Sequence, residues 1–188
     1  MKRRSILTAG LGLSPFLGAC ASASSGRETA PGIGLVVTYH LAEGAKDKEG
    51  VNAIADSGAR LFGPAGLNSR NGGVNTYGSG KIPRWVDVTW RDGTTPGKYW
   101  TTGQVVGNHR VEVLSRIPKS VLEYARAKPA RSLRLKFRIK DDRVLFAWDV
   151  QELVITDRGR GLQFPLPGGD FLEAKMYNGK VIDPGWER

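Results

Sequence analysis

The most regular pattern in the chain lies between residues 133 and 150. Leu133, Leu135, Phe137 and Ile139 alternate with Arg134, Lys136, Arg138 and Lys140, a period of two that marks a strand with one apolar and one basic face. Asp141 and Asp142 turn the chain, and Val144, Phe146, Trp148 and Val150 form the return strand of a hairpin. The same period recurs at Val86, Val88 and Trp90, and again at His109, Val111 and Val113. Residues 33–39 are β-branched and apolar, which predicts a buried strand. Residues 98–106 predict another, and 51–55, 154–156 and 162–164 predict short ones. The Gly/Asn-rich stretch 42–80 otherwise reads as a long loop with turns at Gly63-Pro64-Ala65-Gly66 and Asn71-Gly72-Gly73. One helix is expected at 118–127. It begins either with Pro118 in its first turn or at the capping-box spacing Ser120 to Glu123, and it ends before Pro129. The elements together predict a mainly β fold, an antiparallel sheet sandwich with one short helix at an edge or end. The basic face at 134–140 is expected to point outward, because burying four like charges without partners costs several kcal/mol each.

Composition changes this picture in two places. The chain has 188 residues with 25 glycines and 10 prolines, and 28 basic against 18 acidic side chains give a net charge of +10. Hydrophobic residues at 40% suffice for one core. A single cysteine rules out a disulfide framework within the chain and a multi-thiolate zinc site, so neither a metal nor a cofactor is expected. The cysteine also has a telling position. Lys2, Arg3 and Arg4 precede a weakly apolar run, residues 6–19, too short to cross a bilayer. Leu17-Gly18-Ala19-Cys20 closes it. This resembles the lipobox of bacterial lipoproteins, in which the cysteine is acylated after cleavage before it. The resemblance implies a signal peptide at 1–19, and a lipidated Cys20 with a flexible tether over 20–31 that fastens the protein to a lipid bilayer. Residues 32–188 would then form one β-rich domain. Ala21 in place of an aspartate implies sorting to the outer membrane, on the periplasmic side. Arg3-Arg4-Ser5-Ile6-Leu7 also resembles a twin-arginine signal, so the general and the twin-arginine export routes both fit. Losing Lys2, Arg3 and Arg4 lowers the side-chain charge from +10 to +7. For an exported protein this charge meets anionic lipid, glycan or protein rather than nucleic acid.

Motifs for chemistry are few. There is no Gly-x-Ser-x-Gly elbow, and Gly97-Lys98 and Gly179-Lys180 lack the hydroxyl residue of a P-loop. His109 is the candidate for a spatially assembled triad, and Asp141, Asp142, Asp149 and Glu152 are the candidates for a carboxylate pair; a turn accounts for the first two acids and strand positions for the other residues without catalysis. Trp90 and Trp148 fall on apolar faces, whereas Trp85 and Trp100 are candidates for stacking on a sugar. Arg131, Arg134, Lys136, Arg138, Lys140 and Arg143 form the candidate partner-binding surface, with 68–81 as a second contact region.

Ile82-Pro83-Arg84-Trp85-Val86-Asp87-Val88-Thr89-Trp90-Arg91, followed by Lys98-Tyr99-Trp100, Arg116-Ile117-Pro118 and Ala147-Trp148-Asp149, resembles a group of uncharacterised proteobacterial lipoproteins over residues 50–150. Some of these are regarded as immunity proteins against type VI secretion effectors that attack the envelope. The resemblance brings no catalytic residues. It implies a non-enzymatic, lipid-anchored periplasmic protein that occludes a toxin. The alternative is an envelope module that binds glycan or lipopolysaccharide.

Overall fold

The computed structural model describes residues 32–95, 100–157, 159–177 and 180–188. The leader, Cys20 and the tether lie outside them. The described chain forms β1 (Ile33–Leu41), β2 (Lys48–Ala55), β3 (Arg60–Leu67), β4 (Gly72–Gly80), β5 (Trp85–Asp92) and β6 (Gln104–Glu112). A 3-10 turn (Leu114–Arg116) and α1 (Lys119–Arg126) follow, then β7 (Arg131–Ile139), β8 (Val144–Thr156) and β9 (Gly159–Gln163). Five short strands end the chain: β10 (Gly168–Gly169), β11 (Phe171–Leu172), β12 (Lys175–Tyr177), β13 (Lys180–Asp183) and β14 (Trp186–Glu187).

Two sheets face each other, as the alternating pattern predicts. Sheet I runs β10-β8-β7-β1-β4, with β9 also on β8, and sheet II runs β3-β2-β5-β6. The pairs are antiparallel except β1 with β7, which run parallel because the chain builds sheet II and α1 before returning beside β1. The apolar faces meet in one core. Phe62 of β3 stacks on Tyr39 of β1 with centroids 4.3 Å apart, then contacts Phe137, which leads to Phe146 and Trp148. Val121, Leu122 and Ala125 of α1 are buried in the same cluster. Pro118 occupies the N-cap without a side-chain hydrogen bond, so the capping-box start is not used.

The short strand expected at 51–55 is the end of β2, and the rest of the expected loop at 42–80 also contains β3 and β4. Val51, Ala53, Leu61, Phe62 and Leu67 are buried, but repeated register shifts in β2 break their alternation. The β4 strand lacks an apolar face because it is an edge: the Asn75 amide and the Tyr77 hydroxyl donate to the Leu61 carbonyl and tie it to sheet II. The separate strands expected at 98–106 and 109–113 are one strand beginning at Gln104. Trp100 lies in a turn at φ 54°, and Lys98 and Tyr99 fall outside the described residues. Likewise β8 runs unbroken through 154–156.

Candidate functional site

The outer face of sheet I carries the basic stripe, and it is not open. After β10 the chain corners at Asp170, which accepts from the Phe146 amide at 2.9 Å and pairs with Arg116. From the final segment, described over 171–177 and 180–188, Phe171, Glu173 and Glu187 then lie over the stripe as a flap. Phe171 is buried against Leu145 and Ala147. Its ring also sits 4.2 Å from the Arg138 guanidinium. The flap and the neighbouring strand supply the missing counter-charges. Asp149, 1% exposed, takes a two-pronged pair from Arg134 at 2.7 and 2.6 Å, and Lys136 at 3.0 Å. Glu173 adds a second contact to Arg134 at 3.0 Å. Glu187 accepts from Arg138 at 2.7 Å and pairs with Lys140 at 2.9 Å.

This corrects the expectation of an outward, partner-free basic face. Lys136 is 2% exposed, and Arg134, Arg138 and Lys140 are largely covered. Arg131 projects to the other side of β7, where it pairs with Glu152 at 3.0 Å and stacks on Tyr124 at 3.5 Å. Arg143 alone of the six keeps a half-exposed side chain, with Asp142 at 3.6 Å. A partner could reach the Arg134–Asp149 pair only by lifting the flap. The physical premise was sound, since unpaired buried cations are costly; the partners come from residues distant in sequence.

Beside the flap is a cleft of about 660 Å³ lined by Thr38, His40, Ser69, Lys136, Arg138 and Glu173. It joins the turn at 68–71 to the edge of the stripe, so the two expected contact regions meet here. Gly72 of β4 lies opposite His40, where a Cβ would fall 1.9 Å from the imidazole Nδ1; its absence lets the ring lie across the strand. On the core side, Gly73 leaves the same space for the Tyr39 ring. Burial holds the His40 pKa below its ordinary value against the pull of Glu173, and Arg138 and Arg134 lower it further. At neutral pH the cleft therefore presents a neutral imidazole among compensated charges. Desolvation opposes ionisation of Glu187 and of Asp170, yet their hydrogen bonds to Arg and Lys hold both carboxyls below the usual range.

The other candidates disperse. His109 stacks on Trp90 with centroids 5.0 Å apart, and hydrogen-bonds to no serine or carboxylate among the described residues. Asp149 and Glu152 project to opposite faces of β8, one bound to Arg134, the other to Arg131 and the Tyr124 hydroxyl. Trp85 lies beneath the Arg110 guanidinium at 3.7 Å, and Trp100 packs over Gly66. Trp186 is exposed beside a smaller cavity of about 500 Å³ with Glu43, Arg138 and Glu187. Among the described residues no cluster of three His, Cys, Asp or Glu could hold a metal ion, and no helix is long and apolar enough to cross a membrane. The acids of the flap that face the stripe, Glu173 and Glu187, were the sequence signal for its being covered. Comparison with protein-family models, curated proteins and solved structures found no match.

Proposed function

We propose that this chain is a lipid-anchored periplasmic binding protein, acylated at Cys20 and held on the outer membrane, which occludes a secreted envelope-targeting toxin and carries out no chemistry of its own. One observation carries the reading: the only cysteine stands at the end of Leu17-Gly18-Ala19-Cys20, behind a basic start and a short apolar run. Two acyl chains hold a protein stably at a bilayer, because each buried methylene contributes about 0.8 kcal/mol. The use of the ionisable groups supports a binding role. The stripe cations are taken up by Asp149 of the neighbouring strand and by Glu173 and Glu187 of the flap, which leaves the cleft rim around His40, Ser69 and Glu43 as the contact surface.

Cys20→Ser tests the anchor. The variant should leave the membrane fraction, and the mature wild-type N-terminus should carry acyl mass; a Cys20→Ser protein that still sediments after a high-salt wash, with a bare wild-type thiol, refutes it. The toxin role is tested by deleting the gene and mixing the strain with sister cells that secrete effectors. Lysis that re-expression prevents supports immunity, and unchanged survival refutes it. A second reading, a glycan-binding module, is favoured by exposed Trp186 beside its polar cavity. Retention on envelope glycan in high salt, lost in Trp186→Ala, would establish it instead, since stacking is screened less than ion pairing.

A further inference from the structure

The β8–β9 hairpin carries an apolar, open row on the outer face of sheet I. Leu153 and Leu162 are direct cross-strand partners, and Ile155 follows Leu153 on the same face. They are 44%, 52% and 78% exposed. Phe164, 41% exposed, continues the row toward Arg134. A contiguous aliphatic row of this kind on a basic protein marks a contact surface.

Its position in the sheet indicates what it contacts. Gly34 pairs with Ser132, Ile33 with Gly80, and Arg131 with Glu152, so one end of sheet I is formed by the start of β1, the end of β4, the start of β7 and the middle of β8. The β8–β9 hairpin continues past that end by residues 153–156, about 13 Å at the rise of a strand. The chain preceding the structure therefore enters at the end from which the apolar hairpin projects. Eleven residues, 21–31, separate Cys20 from the described chain, and they reach at most about 36 Å. The same end is basic. Lys81 follows β4, Arg126 ends α1, and Arg160 lies on β9; all three are exposed and pair with no carboxylate among the described residues. Asp157 is the one exposed acid among the described residues of the hairpin.

We infer that this end of the body lies against a bilayer containing anionic lipid, with Leu153, Ile155 and Leu162 inserted at the headgroup boundary and Lys81, Arg126 and Arg160 over lipid phosphates. An apolar face flanked by cations is the chemistry that such an interface takes up. Only the placement of the N-terminal segment at a membrane is shared with the preceding reading. The hairpin would orient the body on the surface and turn the cleft at 68–71, at the far end of β1, away from it.

The test uses the full chain carrying Cys20→Ser, so acylation plays no part. Since Cys20 is the chain's only cysteine, adding Ile155→Cys supplies a unique thiol for an environment-sensitive fluorophore. With vesicles of phosphatidylethanolamine and phosphatidylglycerol, the label should shift to the blue and be quenched by lipids brominated on their acyl chains. In an unlabelled Cys20→Ser chain that keeps Ile155 as the reference, the triple change Leu153→Ser, Ile155→Ser and Leu162→Ser should weaken flotation with these vesicles about a hundredfold. Phosphatidylcholine vesicles should bind more weakly than anionic ones. A label that keeps its aqueous emission, or a triple variant that floats undiminished, overturns the inference. So does a label shift that needs no lipid and tracks self-association in sedimentation, which would assign the face to a second copy. If the triple variant fails to fold, the label decides alone, because Ile155 is too exposed for its replacement to disturb the core. Failure of the anchor reads differently: the mature wild-type N-terminus would then carry no acyl mass at Cys20, whatever the hairpin does.

Discussion

Asp149 is the residue whose loss the charge stripe should feel most. Asp149→Asn keeps the side chain's shape and one acceptor, so it opens no cavity, but it removes the charge that faces Arg134 from 2.6 Å and Lys136 from 3.0 Å. Arg134 retains Glu173 at 3.0 Å, whereas Lys136, almost wholly buried, is left with Glu173 at 3.7 Å. Breaking a buried pair by deleting one partner costs about 3–5 kcal/mol, because the other charge stays desolvated. For a body of this size that corresponds to a fall in Tm of about 6–20 °C. Urea denaturation followed by tryptophan fluorescence measures the loss as a shift in midpoint at constant slope. Lys136→Met provides the control. It leaves Asp149 with its two-pronged Arg134 pair and should cost about 1 kcal/mol or less, since removing a buried cation also removes its desolvation penalty. The double variant should then be more stable than the sum of the two losses, because the stranded ammonium is gone. A loss below about 1 kcal/mol for Asp149→Asn, or strict additivity in the double variant, would refute the account of the stripe as a network held by this carboxylate.

Two more outcomes follow from the flap and the cleft. Phe171→Ala should cost about 3–5 kcal/mol at the flap and raise hydrogen exchange across residues 170–188; unchanged protection there would show that the ion pairs alone hold the segment. The His40 imidazole should titrate below 6.5 in the folded chain, so folding binds fewer protons than the unfolded state as pH falls. Stability is then fully present above about pH 6.5 and declines below it, and His40→Gln should flatten that slope. Gly72→Ala, which displaces the ring, should bring the NMR titration midpoint back toward the ordinary value; a wild-type midpoint at or above 6.5 contradicts the cleft geometry.

The strands legible in the sequence are those half-buried in a regular ladder. In β5 and β7 every second side chain meets the core, and the register with the partner strand is unbroken or nearly so. Burial then writes itself as a period of two. In β2 the pairing shifts three times against β3, so the buried residues drift out of phase. In β4 glycines stand where the rings of His40 and Tyr39 need room, so the strand reads as loop. The site was legible only in part. Alternation gives the character of a face but not what lies on it: the carboxylates that neutralise Arg134 and Arg138 sit 15, 39 and 49 residues away. No local window contains both halves of those pairs. The strand β10 and the flap strands β11 to β14 are two to four residues each, too short to carry a period.

Covering the stripe also relocates the charge that acts at a distance. Arg134, Lys136, Arg138 and Lys140 each stand within 4 Å of a carboxylate on Asp149, Glu173 or Glu187, so their fields largely cancel beyond a Debye length of about 8 Å. Lys81, Arg126 and Arg160 have no such compensation among the described residues and lie at one end of sheet I. Association with an anionic surface should therefore depend on these three. Replacing them together with glutamine should slow binding to anionic vesicles and flatten its dependence on salt. Arg138→Gln, in the covered stripe, should leave that salt dependence unchanged while loosening Glu187 and the end of the flap. If Arg138→Gln instead flattened the salt dependence and the triple replacement did not, the stripe would be the steering surface after all, and the flap would have to lift before the protein meets its target.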